Sequence, residues 1–390
     1  MKEKPFTAPV AVERDLRLDL FRGLALWLIF LDHIPSNAVS WITIRNYGFS
    51  DATEIFVFIS GYTAAFVYGR AMQATGFVVA AARILKRAWQ IYVAHVFLFA
   101  IYLAEIAYVA HSFDNPLFAE EMGVLDFMKN PDVTILQALV LKFKPVNMDI
   151  LPLYIVLLVG FAPILWLLLR APSIALIVSA SLYTAMWLFD WNFEAYPSGT
   201  WAFNPYAWQL LFVFGAWCAL GGAKRLTRWI NSPVLIGLAI AYLVFAFSIA
   251  MTWYFPRLGV FVPRFVGEAI YPIDKTNLDV LRILHFLSLA VITVWLVPSN
   301  WPPLRSRWAW PAIVCGQHSL GIFCLGVFLS FAGHFVFTEF SNIVFTQVVV
   351  SLAGIAIMVG AAVLISWYRV IERQGPRPPT TKTGYAGGDA

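Results

Sequence analysis

Ionisable side chains set inside apolar runs are the residues of this chain best suited to chemistry, because a charge within a membrane helix costs several kcal/mol and marks a functional candidate. The first such run carries Asp19, Arg22 and Gly23 at its start, then an apolar stretch, then Asp32, His33 and Pro35. At 100° per residue, Arg22 and His33 lie about 20° apart around a helix and about 16 Å apart along it. One stripe therefore holds a cation at one end and an imidazole at the other. That suits a long donor, with phosphates on Arg22 and the reactive end at His33. The plainer reading is that Arg22 snorkels and His33 caps a helix end. Asp32 sits about 100° from His33 and is a poor partner for it. Glu54, in the second apolar run, is a better candidate, since a histidine base needs a carboxylate on its other nitrogen. Asp51 and Glu54 also have capping-box spacing, the preferred role for Asp51.

Other polar residues fall into three groups. Arg83, Lys86 and Arg87 precede the third apolar run. They satisfy the positive-inside rule or clamp a phosphate. Asp279, Arg282 and His285 follow at i, i+3 and i+6 along a drifting face. They are candidates for binding an acceptor or a donor carboxylate, or for a structural ion pair. Asp149, Trp208, Gln209 and His318 are further intrusions into apolar runs, candidates for the acceptor side, although interhelical hydrogen bonding is their commoner role. No His/Cys/Asp cluster has zinc spacing, and there is no phosphate-binding glycine loop or serine-nucleophile elbow. Cys218, Cys315 and Cys324 lie in apolar stretches as inert thiols. No metal and no tightly bound cofactor are expected.

The elements that position these residues are membrane helices. Of the 390 residues, 60% are hydrophobic and 13% charged, against about half and about a quarter for a soluble domain. Spans of about 20 apolar residues are expected at ten places, near 18–35, 52–69, 89–111, 150–169, 173–190, 205–221, 233–253, 278–297, 310–331 and 343–368. The fold class expected is an all-α integral membrane protein with both termini cytoplasmic. With that orientation, 19 of the 27 Lys and Arg fall on the cytoplasmic side, as the positive-inside rule requires. The expected organisation is a cytoplasmic segment 1–17 without a cleavable signal, a membrane domain 18–371 and a disordered cytoplasmic tail 372–390. The net charge of +5 sits between apolar runs and gives no reason to expect nucleic acid. Internal repeats of the transporter kind are not visible.

Several blocks carry a family resemblance: RDLRLDLFRGLALWLIFLDHIP (14–35), SDATEIFVFISGY (50–62), MDILPLYIVLL (148–158), NPYAWQLLFVFGAW (204–217), KTNLDVLRILHFLSLA (275–290) and GQHSLGIFCLG (316–326). Together they resemble the OpgC family, membrane succinyltransferases of osmoregulated periplasmic glucans, related to the acyltransferase-3 group. The resemblance implies succinyl-CoA as co-substrate, a periplasmic glucan as acceptor and the bacterial inner membrane as location. It implies His33 as general base, Glu54 as the acidic position of the second block and Arg22 as the first-helix arginine. Arg83 and Arg87 resemble the basic pair before the third helix at a spacing of four, and Arg83 and Lys86 have the broader group's spacing of three. Arg282, His285 or His318 are left as candidates for the oxyanion or the succinyl carboxylate. Transfer of acetyl or another acyl group to a different glycan, or glycan transport without chemistry, are the alternatives. Oligomeric state has no signature here.

Overall fold

The computed structural model describes residues 15–373. The expected terminal segments 1–17 and 372–390 fall almost wholly outside them. The described chain is 79% helical and has no strand. Its main helices are α1 (Leu16–Asp32), α2 (Ala52–Ser112), α3 (Ile150–Val159), α4 (Phe161–Arg170), α5 (Pro172–Phe189), α6 (Pro205–Trp217), α7 (Pro233–Tyr254), α8 (Val280–Leu296), α9 (Trp310–Gln317), α10 (Ser319–Glu339) and α11 (Val344–Arg373). Short helices at Leu117–Glu121, Leu125–Lys129 and Pro131–Leu139 fill the long connection after α2.

Six helices are long and apolar enough to cross a membrane, counting α6 with its continuation to Ile230 as one, and seven if the bent α3–α4 pair counts as one span, against the ten expected. The difference has local causes. α1 and α8 are 17 residues each, about 25 Å of rise, and α1 buries Asp19 and Arg22 among its neighbours. The second and third expected spans form one 61-residue helix, α2. At about 1.5 Å per residue it would run three bilayer thicknesses if straight. It is not straight: Gly76 breaks it with φ 82° and ψ 175°, a conformation that a residue without Cβ adopts at no steric cost. Tyr68 and Arg87, on opposite sides of that break, line one cavity, so the two arms fold back on each other. Arg83, Lys86 and Arg87 therefore lie inside the second arm and not in a loop before it, because the stretch from Phe77 to Gln90 contains no Gly or Pro to stop the helix.

Two other expected spans are interrupted. α3 and α4 meet at Gly160 with a 56° bend. Pro163 has no N–H to return to Val159, so the helical ladder cannot pass through. The span expected at 310–331 splits at His318 (φ −115°, ψ 33°) into α9 and α10. α7 and α11 show the opposite character: most of their apolar surface faces outward, including Leu238, Val244, Leu352 and Leu364. In lipid such a face is satisfied and the helix satisfies its own backbone.

Two backbone-to-backbone crossings hold the centre. A Cβ on Gly23 would lie 1.8 Å from the Ala312 carbonyl oxygen, and one on Gly316 would lie 1.9 Å from that of Asp19, so α1 and α9 touch at glycines. α2 and α6 do the same through Gly61 against Phe212 and Gly215 against Phe58. Small residues allow such approach where lipid supplies no hydrophobic drive between helices. Gly23→Ala is expected to cost about 1–3 kcal/mol by overpacking and to lower the thermal midpoint in detergent. Gly237→Ala, with nothing within 4 Å of the new methyl, should leave it unchanged or raise it. Equal midpoints for the two variants would show that the α1–α9 contact carries no stability.

Candidate active site

α1 ends at His33, which caps it by donating its backbone N–H to Ile29. The ring stands in a cavity of about 460 Å³. Ile29, Asp32, Arg45, Asp51, Lys275 and Arg282 share its wall, and Trp253 and Tyr271, hydrogen-bonded to each other, stand at its side. His33 Nδ1 is buried without a hydrogen-bond partner among the described residues. Asn147 Nδ2 donates to the His33 carbonyl at 3.3 Å and fixes the helix end.

A second cavity of about 170 Å³ lies toward the other end of α1. Arg22, Ser60, Thr63, Tyr68, Arg87 and Tyr154 line it, with Phe56 and Phe323. Arg22 donates to the Ile59 carbonyl at 2.9 Å and to Thr63 Oγ1 at 2.5 Å, which pins its guanidinium to the first arm of α2. The α1 stripe thus has a cavity at each end, Arg22 in one and His33 in the other. Thr53, Phe56, Ser60, Thr63 and Val67 run along the facing side of α2 at the three-and-four spacing of one helical stripe. Leu26, buried, falls on α1 between Arg22 of the second cavity and Ile29 of the first, and Phe56, buried on α2, lines the end of the second cavity nearest Thr53 of the first.

Glu54 is fully buried and does not meet His33. Its Oε2 accepts the Asp51 N–H at 2.9 Å, closing the expected capping box, and its Oε1 lies 2.6 Å from the Arg282 guanidinium. Arg282 also reaches Asp51 at 3.3 Å, and Lys275 meets the same Asp51 oxygen at 2.6 Å. α8 is tied to the start of α2 by this cluster, and Glu54 is a positioning residue for the cavity wall.

The remaining candidates separate by place. His285 Nδ1 accepts the Ser50 backbone N–H at 3.2 Å and pairs with its hydroxyl at 2.7 Å, while Nε2 packs on Gly48. Because the N–H can only donate, Nδ1 is the acceptor, and His285 latches the loop before α2. Trp208 donates to the Thr276 carbonyl in the turn before α8, a helix-to-loop tie, and Gln209 bonds Ser179 across α5 and α6, an interhelical one. His318 bonds Ser366 at 2.6 Å beside the Arg22 cavity, at the opposite end of α1 from His33. Asp149 sits before α3, its carboxyl raised to about 6 by burial against the pull of Lys144. Of the basic trio, Arg87 lines the second cavity, whereas Arg83 and Lys86 are exposed. Arg45 and Lys275 went unmarked as site residues in the sequence. The available signal was that Arg45 is the sole cation between α1 and α2.

Removing one partner of a buried ion pair costs about 3–5 kcal/mol, while replacing both with apolar groups is often neutral. Arg282→Met should therefore lower the thermal midpoint sharply, and the double variant Glu54→Leu/Arg282→Met should recover much of the loss. Additive losses in the double variant would show that the two side chains are not coupled.

No curated protein and no solved structure matches the chain. The family model described as OpgC protein matches residues 14–370, nearly the whole length. With glycine crossings beneath the Arg22–Gly23 and Ser60–Gly61 motifs and the first-block histidine in the larger cavity, the chain belongs to the OpgC family.

Proposed function

We propose that this protein moves a succinyl group from succinyl-CoA on the cytoplasmic side of the bacterial inner membrane to a hydroxyl of a periplasmic glucan. Family membership carries the broader part, glucan modification by acyl transfer. The observation that supports the mechanism is the pair of cavities at the two ends of the Arg22–His33 stripe. In this reading both termini are cytoplasmic and the shorter α1 and α8 complete the bundle.

Arg22 and Arg87 hold donor phosphates, as fixed guanidinium forks do. The pantetheine arm follows the α1–α2 stripe toward His33. The acceptor hydroxyl enters the larger cavity from the periplasm. His33 takes its proton as the oxygen attacks the thioester carbon; the new C–O bond forms, the C–S bond breaks, and the proton passes to the departing thiolate. Transfer is direct. None of the three cysteines lines either cavity, and Ser50, only 1% exposed, holds its hydroxyl on His285. Lys275, held by Asp51, has N–H donors left to offer the cavity where the oxyanion develops.

The test is acyl transfer by purified protein in nanodiscs with succinyl-CoA and isolated glucan, following free CoA and product mass. His33→Ala should lose about 10²–10⁴ in rate, the usual contribution of a general base, while keeping its thermal midpoint. A folded His33→Ala protein with full transfer would end the catalytic assignment. In the same assay Arg87→Ala should raise the donor KM well above the effect of Arg83→Ala. Equal effects would place the donor phosphates elsewhere.

A further inference from the structure

Three cations line the His33 cavity, and they are not equally engaged. Arg282 is shared between Glu54 and Asp51 at 2.6 and 3.3 Å, and Lys275 meets Asp51 at 2.6 Å. Arg45 differs. Among the described residues its guanidinium has one ion-pair contact, a 3.9 Å approach to Asp32, and no hydrogen bond. That separation is far beyond the roughly 2.7–2.9 Å of a charge-assisted bond. The Asp32 oxygen concerned already accepts the Thr43 hydroxyl at 2.7 Å. The Arg45 side chain keeps 53% of its surface open while lining the cavity.

The backbone beneath Arg45 is fixed. It lies in a single helical turn, Ile44–Asn46, inside the connection between α1 and α2. Thr43 is fully buried and Asn46 nearly so. Asn46 Nδ2 donates to the Ser40 carbonyl at 2.6 Å, and the Tyr254 hydroxyl donates to Asn46 Oδ1 at 2.5 Å. A planar five-donor group on such a base is suited to bidentate capture of a carboxylate. An acetyl group has nothing to offer it. A dicarboxylic acyl group places a free carboxylate a few bonds beyond the thioester carbon.

We infer that Arg45 forms a carboxylate subsite beside His33, holding the free end of a dicarboxylic acyl group and so setting the preference of the enzyme for succinyl over neutral acyl donors. This rests on the succinyl-CoA reading above. Asp32 sets the resting direction of the guanidinium, and the incoming carboxylate takes the donors that Asp32 leaves unfilled. Sequence reasoning had offered Arg282, His285 or His318 for this carboxylate. The first two are bound within the protein, and the third belongs to the opposite end of α1.

The experiment compares kcat/KM for succinyl-CoA and acetyl-CoA in wild type, Arg45→Ala and Arg45→Lys, with glucan held constant. Arg45→Ala should lower the succinyl-to-acetyl preference about tenfold to a hundredfold, the usual effect of losing a bond to a charged group. Arg45→Lys should recover part of it, since the charge returns without the fork. A wild type that takes succinyl-CoA, with an unchanged preference in Arg45→Ala, overturns the subsite alone. Equal losses with both donors, together with a raised glucan KM when glucan is varied at saturating donor, overturn it in favour of acceptor binding by Arg45. A wild type that takes acetyl-CoA and refuses succinyl-CoA overturns the donor reading and the subsite with it.

Discussion

A guanidinium buried between two carboxylates is the interaction on which the larger cavity depends. Arg282 enters from α8 and meets Glu54 and Asp51 at the start of α2. Removing Arg282 strands the fully buried Glu54 carboxylate. The geometry of α8 against α2 is therefore stiffly set. Lys275 and Asp51 extend the same cluster into the wall. His33 itself makes no part of it, which leaves the ring available to the cavity.

The glycine crossings serve the other axis. α1 against α9, and α2 against α6, approach so closely that a methyl group would overlap a carbonyl oxygen. With both helices fixed in this way, their polar stripes face each other at a set distance. Arg22 then spans from α1 to Ile59 and Thr63 on α2, and the two cavities open along one line. The Arg-Gly and Ser-Gly pairs read from the sequence are each half electrostatic or polar and half a contact surface.

What the sequence disclosed followed from periodicity. The common stripe of Arg22 and His33 needs only the helical repeat, and the capping box of Asp51 and Glu54 needs only a spacing of three. The structure shows both. Other features depended on chain reversals that no local pattern encodes. Arg282 reaches Glu54 across 228 positions, so the sequence offered His33 as the partner of Glu54 instead. Choosing among Arg83, Lys86 and Arg87 required knowing that α2 turns at Gly76, since that turn sets which face meets the first arm. Arg45 looked like one more charge in a connecting segment. Its place at the cavity follows from the buried ties of Thr43 and Asn46, formed partly with Tyr254 of α7.

Leu26 and Phe56, buried where the second cavity gives way to the first along α1 and α2, have a meaning apart from catalysis. A bundle hollowed from both ends is at risk of becoming a pore. Water in the two chambers would join, and protons or sodium would run down any voltage across the membrane. Buried apolar side chains at that point work against such a current. Apolar side chains that keep the two cavities apart thus keep the membrane electrically tight.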